Sequence, residues 1–188
     1  MAVLVEGISV IIRRKKIDEM FSGGWDAFQE DVPNQTLCAD DELARVGFMS
    51  PPDAEAFIWQ LEKGGLTFAR EERAVDMAVV DQMRGPAIST EWLEFAHLTL
   101  DGTDNKVAAC WLFEGPRIAA GVHVQSKNMT LATPEGWRYE DSLSANFKFV
   151  TDEEMNENLK FLRHEDGQDV YLDLSKGKEV YMGRTQDK

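Results

Sequence analysis

The stretch SPPDAEAFIWQLEKGG, residues 50–65, decides how this chain is read. Ser50 is placed to cap a helix whose first turn holds Pro51, and Asp53 stands where the acid of a capping box belongs. Ala54, Phe57, Ile58 and Leu61 recur at helical spacing and form one apolar stripe. Gly64-Gly65 supplies the stop. The pattern predicts a helix with one defined buried face. At ~100° per residue, Trp59 falls on the opposite side, with Glu55 and Glu62 one turn before and after it. An indole between carboxylates on an outer helix face has two readings: an anchor for a partner, or a ring covered by the second half of the chain.

Working outward, strands are expected at Leu43 to Phe48 and Leu66 to Ala69, one on each side of this helix. Residues 3–12 are rich in alternating β-branched side chains and predict a largely buried strand. Ile17, Met20 and Phe21 then share a helical face. Gly23-Gly24 interrupts it, and Trp25, Phe28 and Val32 resume before Pro33, which predicts a broken helix.

The second half changes character. Val75 to Gln82 reads as a strand before the turn-forming Arg84-Gly85-Pro86. Glu91 to Leu100 and Lys106 to Phe113 bracket a turn of Asp101, Gly102, Thr103, Asp104 and Asn105, a hairpin signature. Pairing Leu100 with Lys106 sets Leu93 opposite Phe113, Phe95 opposite Trp111 and His97 opposite Ala109, with three aromatic rings on one core-facing surface. Further strands are expected near Ile118 to Val124 and Asn146 to Val150. Thr151 and Glu154 form a capping box for a short acidic helix. From Leu159 a meander is favoured, passing Asp166-Gly167 and ending at Glu179 to Met182. The sum is a single α+β domain over residues 1–188. Its N-terminal part is α/β-like, with two helices on a mixed sheet, and its C-terminal part is β-rich with hairpins.

Charge narrows the function. The chain of 188 residues carries a net charge of −14. Between Asp18 and Glu62 eleven acids face one base, Arg45, so this stretch alone holds −10. Such a field repels phosphate backbones and argues against nucleic acid as partner, whereas it steers a basic protein inward. No apolar run approaches the ~18 residues of a membrane span. Met1 to Ile12 is apolar, but Glu6 interrupts it and the basic cluster Arg13 to Lys16 follows the run instead of preceding it, unlike a signal peptide. With only Cys38 and Cys110, the cysteines do not form the framework of a small secreted domain. A cytoplasmic location is expected.

Motifs for phosphate loops, dinucleotides, nucleophile elbows and zinc helices are lacking, so neither a cofactor nor a metal is expected. Cys110 lies in an apolar strand and reads as a core thiol. Cys38 precedes Asp40, Asp41 and Glu42, whose carboxylates disfavour a thiolate. That acidic loop lacks the spacing of a calcium loop. Asp81, Gln82 and Arg84 end an apolar strand, and His97 on a nearby strand could join them in a polar cleft; the alternative is that Asp81 caps a turn. Two functions are therefore expected. The favoured one is an acidic binding protein of inhibitor or immunity type, which meets a basic protein partner through Trp59, Glu55, Glu62, Asp40, Asp41 and Glu42. The other is a small enzyme using Asp81, Gln82, Arg84 and His97.

Overall fold

The computed structural model describes residues 1–100, 102–113, 130–146, 159–165, 168–173 and 178–183. The strand expected near 118–124, most of the strand at 146–150 and the acidic helix at 151–155 lie outside them.

The apolar run at the amino end is two strands, β1 (Ala2–Val5) and β2 (Ile8–Arg13), where the sequence pattern implied one. Gly7 between them has φ +58°, a left-handed conformation that glycine adopts without cost. The chain changes sheets at this residue. Helix α1 (Arg14–Met20) and helix α2 (Gly24–Asp31) follow, divided at Gly23 as expected. Next come β3 (Cys38–Ala39), β4 (Leu43–Phe48) and helix α3 (Pro51–Lys63). The Ser50 hydroxyl accepts a hydrogen bond from the Asp53 N–H, and Ala54, Phe57, Ile58 and Leu61 are all buried. The strand expected at 66–69 is displaced to a two-residue ladder, β5 (Ala69–Arg70) with β6 (Arg73–Ala74). Then follow β7 (Met77–Asp81), β8 (Gly85–Pro86), β9 (Leu93–Thr99), β10 (Lys106–Leu112) and β11 (Leu131–Ala132). A 3₁₀ turn (Tyr139–Asp141) leads into the short helix α4 (Leu143–Asn146).

The two larger sheets and a helical layer build the two cores. The five-stranded sheet has the order β3-β4-β2-β7-β8 and is antiparallel throughout. Ile8, Val10, Ile12, Ala44, Val46 and Phe48 project from one face into a core with Ile17, Phe28, Phe57 and Leu61 of the helices. Ile11, Leu43, Ala78 and Val80 project from the other face against Val3, Val5, Leu93, Ala108 and Cys110 of a four-stranded sheet, β11-β1-β10-β9. The parallel pairing lies in this second sheet, between β1 and β11. Apolar positions on both faces of β2 thus serve two cores, which is why its alternation is blurred.

The β9–β10 hairpin forms, but one residue out of the expected register. Thr99 pairs with Lys106, Phe95 with Cys110, and Glu94 with Trp111. Trp111 therefore leaves the surface assigned to Phe95 and is only half-buried. The turn is longer by Leu100, whose N–H donates to the Asn105 carbonyl and whose carbonyl accepts from the Thr103 N–H. The meander at the carboxyl end is present as β12 (Leu159–Glu165), β13 (Gln168–Asp173) and β14 (Lys178–Gly183), all antiparallel. Among the described residues no helix is long and apolar enough to cross a membrane.

Candidate functional site

Three places bear on function: the outer face of α3, the end of β7, and a cavity at the edge of the two sheets.

On α3, Trp59 is 61 % exposed. Glu55 and Glu62 are exposed on the same side. One face of the indole is covered by the helix's own Lys63, whose Nζ lies 3.3 Å from the ring centroid. Helix α2 runs beside α3: the Gln60 amide donates to the Asp31 carbonyl at 3.3 Å, and Phe28 meets Phe57 beneath. The exposed Asp26, Glu30 and Asp31 of α2 extend the acidic surface. The Asp40 loop is divided. Asp41 is exposed, Glu42 is half-exposed and Asp40 is buried. Asp40 Oδ1 accepts from the N–H groups of Glu42 and Leu43, both at 2.7 Å, so this carboxylate closes a turn instead of facing a partner.

At the end of β7 the Asp81 and Gln82 side chains bind backbone N–H groups. Asp81 Oδ1 accepts from the N–H groups of Met83 and Arg84, at 2.8 and 2.9 Å. Gln82 is fully buried, and its Oε1 accepts from the Gly7 N–H at 2.8 Å. His97 Nε2 lies 2.9 Å from the Gln82 carbonyl. The four residues are thus neighbours. A nearby open depression of about 420 Å³, lined by residues 86–90 and 93–95, includes none of them. Burial pushes the Asp81 carboxyl above its ordinary value, against the two N–H bonds that favour the anion. A carboxyl raised in the fold stabilises it below the ordinary carboxylate range, and that contribution is lost as pH rises through the raised value. Asp81→Asn keeps an acceptor oxygen for both N–H groups and cannot ionise. Its denaturation midpoint at pH 7 is expected to equal or exceed the parent's, with the difference narrowing as the pH falls through the carboxylate range.

The cavity was not anticipated. It measures about 620 Å³ and lies between β4, the β1–β2 junction and residues 134–143. Arg45 and Glu6 are both buried at it. Arg45 extends along β4 over Gly47, where even a Cβ atom would sit 2.4 Å from Nη2. Its Nε donates to Ser9 Oγ at 2.9 Å, Nη1 to the Thr36 carbonyl at 3.2 Å and Nη2 to the Glu6 carbonyl at 2.8 Å. The 34–36 loop is itself tied to Gly47: the Gly47 N–H donates to Thr36 Oγ1 and the Asn34 amide donates to the Gly47 carbonyl. The Glu6 carboxylate turns the other way and accepts from the Ser144 N–H and hydroxyl and from Trp137 Nε1. Burial pushes the neighbouring Cys38 thiol up, against the opposing effect of Arg45. Burial, more than the adjacent acids, therefore keeps this thiol protonated. Cys110, also buried, is raised by burial alone.

Two cues in the sequence could have pointed here: the lone base within an apolar strand, and the acid within the apolar amino-terminal run. No family model, curated protein or solved structure matches the chain.

Proposed function

We propose that the protein is a cytoplasmic binding protein that holds a basic protein partner on the acidic α2–α3 face, in the manner of an inhibitor or immunity protein. The observation that carries this reading is Trp59, a large aromatic side chain left 61 % exposed on a well-packed helix. Indoles are costly to leave in water and are favoured as interface anchors. The contact of Lys63 with the ring supports a cationic occupant, since a partner lysine or arginine can take the same position over the indole. Glu55, Glu62 and the α2 acids are exposed on the same pair of helices and would speed the encounter by steering.

The test pairs stability with capture. Trp59→Ala is expected to change unfolding stability by less than ~1 kcal/mol, as exposed substitutions do. The same change is expected to weaken partner binding by ~2 kcal/mol or more. Glu55→Lys with Glu62→Lys should slow association, and the parent's on-rate should fall as salt rises. The parent and both variants serve as baits, followed by surface-based kinetics on what the parent retains. A basic protein held by the parent and lost by the variants supports the reading. A partner held equally by Trp59→Ala removes it.

The polar group at β7 supports the enzyme alternative less well. Asp81 is committed to two backbone N–H groups and Gln82 to Gly7.

A further inference from the structure

We propose that the cavity above Arg45 binds a small zwitterion of the amino-acid or dipeptide class, with its carboxylate on the Arg45 guanidinium and its ammonium toward Asp53 and Glu135.

The guanidinium sets the first requirement. Arg45 is 2 % exposed, yet it lines the cavity. A guanidinium carries five N–H donors. The three described bonds all go to neutral oxygens, of Ser9, Thr36 and Glu6. Among the described residues no carboxylate forms an ion pair with it; the Glu6 carboxylate favours its charge from a distance and spends its hydrogen bonds on Ser144 and Trp137. The Cys38 thiol beside it is held protonated by burial and offers no counter-charge. A buried charge with no carboxylate in direct contact is costly, and an anionic ligand supplies that contact.

The group is also held in place beforehand. Its plane rests on the bare Cα of Gly47, and the 34–36 loop is fastened to that same residue. A carboxylate arriving from the cavity would meet the remaining N–H groups of a guanidinium already fixed in orientation, so little ordering would remain to be done on binding.

The rest of the lining rules out a simple anion. Arg138 is engaged with Asp141. With that pair set aside, the lining holds Glu6, Asp53 and Glu135 against one cation, Arg45, and a free anion would enter against a net negative wall. A molecule bearing both charges meets Arg45 at one end and the carboxylates at the other. Phe48, Met49, Trp137 and Leu143 supply apolar walls for its side chains. The volume of about 620 Å³ falls within the range of small-molecule cavities.

The experiment is isothermal titration calorimetry of the full chain with leucyl-phenylalanine, its N-acetylated form, its C-amidated form and inorganic phosphate. The free dipeptide is expected to bind, each blocked form at least ~10-fold more weakly, and phosphate not to compete. Arg45→Gln should abolish the heat of binding. If that variant fails to fold, the comparison of free and blocked ligands on the parent decides alone. Absence of binding at about 10 mM dipeptide overturns the proposal. So does equal binding of the blocked forms, or binding of phosphate in place of the dipeptide. Trp59→Ala should leave dipeptide binding unchanged, which separates this site from the helix face proposed above.

Discussion

Phe57→Ala is expected to lower the unfolding free energy by about 3–5 kcal/mol, as aromatic truncations in cores do. Phe57 is buried at the centre of the helical layer. Its ring centroid lies 5.5 Å from that of Phe48 on β4 and 6.3 Å from that of Phe28 on α2. The void would be walled by three elements, and no single one could close it by moving. Denaturant titration should show a lower midpoint at unchanged slope. A loss below about 1 kcal/mol would mean that the helices repack freely over the sheet. Trp111→Ala should cost clearly less, because the true register leaves that ring half-buried opposite Glu94.

Gly7→Val is expected to cost about 3 kcal/mol or more. Two penalties combine. The backbone at φ +58° is unfavourable for a β-branched residue. A Cβ would also stand 2.7 Å from the Phe48 carbonyl oxygen, a backbone atom fixed by the β2–β4 ladder. Gly102 provides the control. Its φ is +75°, yet nothing lies within 4 Å of a Cβ there, so Gly102→Ala carries backbone strain alone, about 1–2 kcal/mol. Thermal unfolding of the two variants against the parent separates clash from strain. Equal losses would show that Phe48 yields easily.

What could be read from residues alone follows physical lines. Helix α3 was legible in full, cap, stripe and stop, because one of its faces meets the core and the other meets water. The break at Gly23 was legible for a similar reason. The β9–β10 register was not. Val107, Ala108, Ala109 and Cys110 are all buried, so the strand is covered on both faces and its pattern cannot say which residue faces which way. The turn then appeared one residue too short, and every pair moved by one. The amino-terminal run hid its division between two sheets because both halves are apolar and Gly7 alone marks the crossing. The outward facing of Trp59 followed from helix geometry, but that the second half leaves it uncovered did not. The Arg45 cavity did not, since its residues come from segments up to 137 positions apart, Glu6 to Leu143, brought together only by the fold.

The position of β1 bears on how the chain assembles as it is made. Val3 pairs with Cys110 on one side and with Ala132 on the other. β2, only two residues further along, pairs with β4 and β7. A chain emerging from the ribosome can therefore join β2 to its neighbours once residue 81 is free. β1, the fully buried AVLV segment, has no partner until the strand ending at residue 112 appears, and keeps one edge open until residue 132. Closing loops of such length is slow, and an apolar strand with open edges is prone to pair with other chains meanwhile. The four residues of β1 are thus satisfied well after those of β2, which follow them in the chain.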